Sequence, residues 1–507
     1  MKTALLLPIY LCLLVFVHYY GANGYDTLER ALRVKHLKRS PMDHATNNDH
    51  RDEYTYPPVD VGPQDGLKDA DKISELPGQP DGTDFDQYSG YVTVDPDHGK
   101  ALFYYLTESP INSSTNPLLL WLQGGMGCSS LGYGAMMELG PFRVNADRKT
   151  LSRNKYAWNN ISNVLFLESP AGVGFSYSNM SETGDAIIAN DSYAFLLNWL
   201  ERFPEYKKRD FYIAGEEYAA HYISQLAYSI LQKNKMANQT VINIKGIALG
   251  NPLDDYGTSE TGTYEYLFSH AIISDEIYEG IVSNCNFSYG GKRGSVCNYY
   301  RGQAKALLSN IEQNDIYAPL CSPLANSTPS VTGGWLLTGG LRVLSDGASD
   351  GGQWLWSDQV SGFDPCSETY IRGYLNTPAV QQSLHAKPVN SWEHCNWNLV
   401  ENWTDMPFTV LPWIKDLMAS GIRVWFYSGD LDVKCPFTST KHSISTLKTS
   451  VKTPWYPWMY EGEVGGYAVE YQNLTFVTIR GAGHTVPSYQ PGRALHVYAS
   501  FLEGTLP

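Results

Sequence analysis

Five short apolar runs, each closed by a turn containing glycine, decide most of the architecture open to this chain. They are "PLLLWLQGG" (117–125), "NVLFLESPAGVGFSY" (163–177), "INIKGIALGNP" (242–252), "IRVWFYSGD" (422–430) and "LTFVTIRGAGH" (474–484). Runs that stay apolar, rather than alternating with polar residues, describe strands covered on both faces, as in parallel sheets. Between them "DSYAFLLNWLERFPEY" (191–206) has helical spacing that stops at Pro204. From Gly90 onward this alternation predicts an α/β fold with a mostly parallel central sheet flanked by helices. Ligands in such folds sit beyond the carboxyl ends of the strands, where these turns lie. A sixth stretch, "FYIAGEEYAAHY" (211–222), reads as strand, sharp turn and helix, with Glu217 at the turn.

With 507 residues, 43% of them hydrophobic, the chain can bury a large core, which fits one catalytic domain with insertions. A net charge of -15 and no concentrated basic stripe argue against nucleic acid or an anionic membrane as partner. Lys2, the apolar run Ala4 to Val17 and the small residues around Gly21 to Gly24 read as a secretory signal over 1–24. No other window offers the ~20 apolar residues that span a bilayer. Residues 25–83 are polar with scattered Pro and Gly, and are expected to be flexible or propeptide-like ahead of a catalytic domain over 84–507. An insertion or lid is expected over about 260–362, first helical and cysteine-bearing, then a Gly-, Ser- and Asp-rich excursion (322–363) where proteolytic nicking can occur.

Nine N-x-S/T sequons, at Asn112, Asn160, Asn179, Asn190, Asn238, Asn286, Asn326, Asn402 and Asn473, fit a secreted chain destined for the cell exterior (apoplast) or vacuole. Outside the signal there are seven cysteines, so at least one is free, and spacing alone pairs none of them, although Cys285 and Cys297 enclose a short loop. The dispersed His residues and the cysteines offer no metal constellation, and no loop has the form of a phosphate cradle. No cofactor is expected. His221 and His442 lie in helical contexts and are read as structural, and the 36 Tyr and 13 Trp as packing.

Five motifs, "WLQGGMGCSSLGYGAMMELGPF", "ESPAGVGFSYS", "GEEYAAHY", "FYSGDLDVKCP" and "GAGHTVP", occur in the order and at the spacing of the plant serine carboxypeptidase-like family. The resemblance runs from Gly90 to the C-terminus and implies an α/β-hydrolase fold. The family includes carboxypeptidases, acyltransferases and a hydroxynitrile lyase, so it leaves the reaction open. By this resemblance Glu217 stands where the family has its nucleophilic serine, Asp432 matches the triad aspartate and His484 the triad histidine. Gly125 and Tyr218 match the backbone N–H donors of the oxyanion hole. Gln123, Gly124, Glu138 and Glu216 match the positions that bind a peptide's terminal carboxylate, with Gln123 in place of asparagine. The resemblance further implies bridges Cys128 to Cys395, Cys285 to Cys297 and Cys321 to Cys366, leaving Cys435 as a packed free thiol. A homodimer is implied by the resemblance alone.

Glu217 changes the chemistry. Serine works by passing its hydroxyl proton to histidine and forming an ester that water cleaves. A carboxylate has no such proton, and its attack on an amide would give an unstable mixed anhydride. Loss of a triad nucleophile typically costs on the order of 10⁶ in turnover, so ordinary carboxypeptidase activity is expected to be lost. A carboxylate about 4 Å from the imidazole attracts it by roughly 4 kcal/mol at intermediate dielectric. With Asp432 on the ring's other side, His484 is expected to be an imidazolium, and the crowded carboxyls of Glu138 and Glu216 to titrate as one unit. Met126, Ala220 and Ser224 also depart from the family pattern, around the same pocket. Three readings follow. Glu217 and His484 move protons on a small plant metabolite in lyase, cyclase or condensation chemistry; or the pocket only binds a metabolite or peptide C-terminus; or hydrolase or acyltransferase activity survives, for instance through direct attack by Glu217 on a strained or alkyl carbon.

Overall fold

The apolar runs form the middle of an 11-stranded sheet. This computed structural model describes residues 59–321 and 363–507. The signal 1–24, residues 25–58, the sequon at Asn326 and nearly all of the 322–363 excursion lie outside the described residues. In chain order the strands are β1 (Lys72–Ile73), β2 (Gln87–Asp95), β3 (Lys100–Thr107), β4 (Leu118–Leu122), β5 (Phe142–Val144), β6 (Leu151–Arg153), β7 (Asn163–Leu167), β8 (Phe211–Glu216), β9 (Ile244–Gly250), β10 (Arg423–Gly429), β11 (Val451–Tyr460), β12 (Glu463–Tyr471) and β13 (Leu474–Ile479). Their order in the sheet is β1-β2-β3-β7-β4-β8-β9-β10-β13-β12-β11, and β5 pairs with β6 separately. The strands from β7 to β13 in that order are parallel. Antiparallel strands extend both edges.

The principal helices are α1 (Asp185–Arg202), α2 (Ala219–Met236), α3 (Tyr256–Ser269), α4 (Asp275–Asn284), α5 (Ser295–Leu307), α6 (Phe437–Leu447) and α7 (Pro491–Glu503). They explain why the strand sequences do not alternate. Leu118, Leu120 and Leu122 of β4 enter a core shared with Phe195 and Trp199 of α1 and Ile223 and Leu226 of α2. Leu119 and Trp121 point the other way, into a second core with Val497, Tyr498 and Phe501 of α7. Each aliphatic side chain so buried contributes about 1.5–3 kcal/mol. Helix α1 gives way at Phe203 because Pro204 supplies no N–H and disfavours helical backbone in the residue before it.

Helices α3, α4 and α5 are the helical part of the insertion. They enclose a small core of their own that includes Tyr266, Leu267, Ile281 and Ala304. α3 is anchored on α6 by Thr438 Oγ1 donating to Gly262 O (2.7 Å) and Ser439 Oγ donating to Ser259 O (2.9 Å). The disulfide Cys285–Cys297 ties the end of α4 to α5.

The boundary expected at residue 84 falls too late. β1 pairs with β2, and Ile73 and Leu76 are buried. Asp71 accepts from the Arg202 guanidinium (2.6 Å) and from Tyr104 Oη (2.6 Å). Two apolar anchors and one buried ion pair hold this segment, and averaged polar composition does not register them.

Candidate active site

β8 turns into α2 through Glu217, whose φ of 56° lies in the left-handed region that non-glycine residues seldom occupy. The surroundings impose the turn. Glu217 N donates to Gly250 O (3.0 Å), and Glu217 O accepts from Leu253 N (3.1 Å). The loop after β4 can approach only because it is glycine: a Cβ on Gly124 would sit 2.2 Å from Glu216 O.

His484 follows β13 and Asp432 follows β10, so both arrive at the same carboxyl edge of the sheet as Glu217. Asp432 is fully buried. It accepts from His484 Nδ1 (2.9 Å), Asn251 Nδ2 (2.7 Å), Lys434 N (2.8 Å) and Cys435 N (3.2 Å). The backbone N–H of His484 donates to Asn314 O (2.7 Å), which holds the backbone that carries the ring. Its Nε2 then faces Glu217 Oε2 at 3.8 Å, an ion-pair distance longer than a hydrogen bond. The Glu217 side chain is 27% exposed, so this contact opens to the cleft.

Charge follows from these contacts. Burial opposes a charged His484, but the Asp432 carboxylate and then Glu217 outweigh it and push the imidazole up to about 9. Burial also opposes a charged Glu217, yet His484, Lys434 and the Gly125 N–H together hold its carboxyl below the ordinary value. At neutral pH the pair is imidazolium and carboxylate. One wall away, the carboxyls of Glu138 and Glu216 are buried and have no hydrogen-bond partner within range among the described residues. Burial raises Glu138 to about 7, and burial together with the Glu138 charge raises Glu216 well above its ordinary value. Such a pair holds at least one proton near neutrality, with all four carboxyl oxygens sealed from solvent.

The profile of the serine carboxypeptidase family matches residues 77–504. The chain belongs to the serine carboxypeptidase family. Similar chains include serine carboxypeptidase-like 40 of Arabidopsis thaliana, 45% identical over 499 residues covering 96% of this chain and 90% of that one. Serine carboxypeptidase 24 of the same plant is 45% identical over 445 residues, 86% and 93% of the two chains. Among solved structures, a prohormone-processing carboxypeptidase from Saccharomyces cerevisiae superposes with a TM-score of 0.69 at 21% identity, covering 86% of this chain and 96% of that one. That likeness supports the α/β-hydrolase fold.

The remaining expected residues of this serine carboxypeptidase family member fall into two sets. Gln123, Gly124, Gly125, Glu138, Glu216, Glu217, Asp432 and His484 come together at the sheet edge. Gln123 Oε1 accepts from Trp121 Nε1 (2.9 Å), and Ser130 Oγ accepts from Gln123 N (3.0 Å). Tyr218 divides: its backbone lies at the turn, but its hydroxyl points down to Asp185 (2.9 Å). His221 is buried beneath, bonded to Asp185, whereas His442 pairs at the surface with Glu265 (2.5 Å). The bridges Cys128–Cys395, Cys285–Cys297 and Cys321–Cys366 form as the resemblance implies, and Cys435 is a free, buried cysteine. Burial and the nearby Glu217 and Asp432 charges push its thiol well up, away from the reactive thiolate.

Three contributors escaped sequence reasoning. Asn251 bridges Asp432 Oδ2 and Cys435 O (3.3 Å) and accepts from Gly429 N (3.2 Å). The signal was present as the Asn-Pro that closes the "INIKGIALGNP" run. Lys434, in the aspartate motif itself, supplies a charge felt by Glu217. Asn314 acts through its backbone and carries no sequence signal.

Proposed function

We propose that this protein is a serine carboxypeptidase-like enzyme converted from acyl transfer to proton transfer, acting on a small plant metabolite that carries a carboxylate. The observation that carries this reading is Glu217 Oε2 facing His484 Nε2 at 3.8 Å with Asp432 on the ring's far nitrogen. His484 donates from Nε2 to a leaving or developing anionic atom, and Glu217 accepts a proton from the substrate's carbon or hydroxyl. A substrate carboxylate that reaches the buried Glu138–Glu216 wall would be held there by the proton this pair keeps. No bond to the enzyme forms, so no acyl group is passed, and elimination, cyclisation or condensation is the reaction class that fits. Both catalytic forms coexist from below pH 4.5 to about 9, and turnover is expected to fall outside that window.

Purified protein incubated with a small-molecule plant extract in D2O should place deuterium on, or transform, one or a few metabolites. Mass spectrometry should find that change abolished by Glu217→Gln and by His484→Asn. Equal rates for wild type and Glu217→Gln would remove Glu217 from the mechanism, and robust His484-dependent release of C-terminal amino acids would overturn the reading altogether.

A second reading, a binding protein without turnover, draws support from the Glu217 carboxylate lying beside Gly125, a position matched to the oxyanion hole: a Cβ on Gly125 would sit 3.4 Å from Glu217 Oε2. Thermal stabilisation by metabolites in the same extract with no conversion would favour it.

A further inference from the structure

A groove of about 570 Å³ opens between α3, α4 and the loop that follows Cys285. Its walls are aromatic. Tyr264 stacks on Phe287 (ring centroids 5.6 Å, 18°), Tyr289 meets Phe408 edge-on (5.3 Å), and Tyr278 stands opposite. Tyr289 is 60% exposed and the neighbouring Val282 62%. Asp255, Thr261 and His442 line the same space, so hydrogen-bonding groups face it beside the rings. Flat rings beside carboxylate, hydroxyl and imidazole groups fit a sugar.

Asn286, of the Asn286-Phe287-Ser288 sequon, itself lines this groove. Its Oδ1 accepts from Ser288 N (3.0 Å) and Ser288 Oγ (2.6 Å), which leaves Nδ2 outside that turn's hydrogen bonds. Nδ2 has no hydrogen-bond partner among the described residues. Other sequons are less favourably placed: the Nδ2 atoms of Asn160 and Asn473 are engaged by Lys155 O (3.0 Å) and Met418 O (3.1 Å), and Asn190 sits inside α1 with Ser192 buried. The Cys285–Cys297 bridge holds the Asn286 loop against the groove.

We infer that Asn286 carries an N-glycan whose first sugars lie in this aromatic groove and cover it. In the secretory pathway a lipid-diphosphate-linked oligosaccharide supplies the sugar. Nδ2 bonds to the anomeric carbon of the first sugar, the carbon–oxygen bond to the lipid diphosphate breaks, and Nδ2 loses one proton. The inference is independent of the catalytic reading and rests on the secretory signal.

The test uses the full chain secreted from plant cells. Glycopeptide mass spectrometry should find Asn286 occupied, and occupancy should vanish in Ser288→Ala. Release of that glycan by an amidase cleaving the Asn–sugar bond should be about tenfold faster from Tyr289→Ala than from the native wild type, as expected from loss of aromatic contacts. Tyr289 is exposed, so the variant should fold, and an unchanged unfolding midpoint of its deglycosylated form would verify this. An unmodified Asn286 would overturn the inference. So would a release rate that Tyr289→Ala leaves unchanged, since the glycan would then stand in solvent and the groove would be open to another occupant.

Discussion

Among the described residues, two buried histidine–aspartate pairs have nearly equal length, and only one of them has the makings of a catalyst. His484 Nδ1 lies 2.9 Å from Asp432, and His221 Nδ1 lies 3.0 Å from Asp185. Asp185 also accepts from Tyr218 Oη (2.9 Å), Trp403 Nε1 (2.9 Å) and Gln225 Nε2 (3.0 Å), so its bonds staple α1, α2 and the Trp403 loop together. The His221 ring lies flat on Tyr218 (4.3 Å, 9°), and its Nε2 is sealed in protein with no partner among the described residues. The second nitrogen of His484 instead meets another charge at a cleft. Pairing alone therefore does not mark a site. What matters is where the free nitrogen looks, because proton transfer needs both access and a charge to work against.

The sharpest way to break this contrast is Glu217→Ser, which places a hydroxyl at the turn opposite His484. C-terminal residue release from an N-blocked dipeptide near pH 5 should rise by about 10³ over wild type, short of the ~10⁶ a complete triad contributes. No rise would mean that Gln123, Met126, Ala220 and Ser224 have also dismantled the pocket. At the buried pair, Asp185→Ala should cost about 3 kcal/mol by urea unfolding, because four donors lose their acceptor at once. It should do so with the His484 titration unchanged.

The Glu138–Glu216 pair separates the two regions by pH. Burial raises both folded pKa values, so the folded state holds protons that the unfolded chain releases. Stability is then fullest below about 4.5 and is lost as pH rises through about 7. Glu216→Gln should remove part of that loss between pH 5 and 8, seen as a flatter profile of thermal midpoint against pH. The smallest effect expected is spectroscopic. In Glu217→Gln the His484 imidazole should titrate about one unit below its wild-type position near 9, with the His221 resonances unmoved.

Much of this was legible in the residues. The five apolar runs became β4, β7, β9, β10 and β13, since two-sided burial leaves no room for alternation. Each candidate catalytic group lies at the carboxyl end of a strand because the motifs that carry it are the turns closing those strands. The boundary at 84 was misplaced because Asp71, Ile73 and Leu76 act through single long-range contacts with Arg202 and the core. Asn314 and the groove beside Asn286 left no trace for a similar reason: one acts through a backbone carbonyl, the other through rings brought together from α3, α4 and the Phe408 loop.

Chain order alone thus settled the family, the order of strand and turn, and the carboxylate of Glu217 at the turn after β8, since all three are local patterns of residue type. Whether that carboxylate would point at His484 or away from it, and which histidine would be walled in, depended on contacts between segments hundreds of residues apart. Side-chain direction and burial exist only once those segments have packed, and they set the charge of the Glu217–His484 pair.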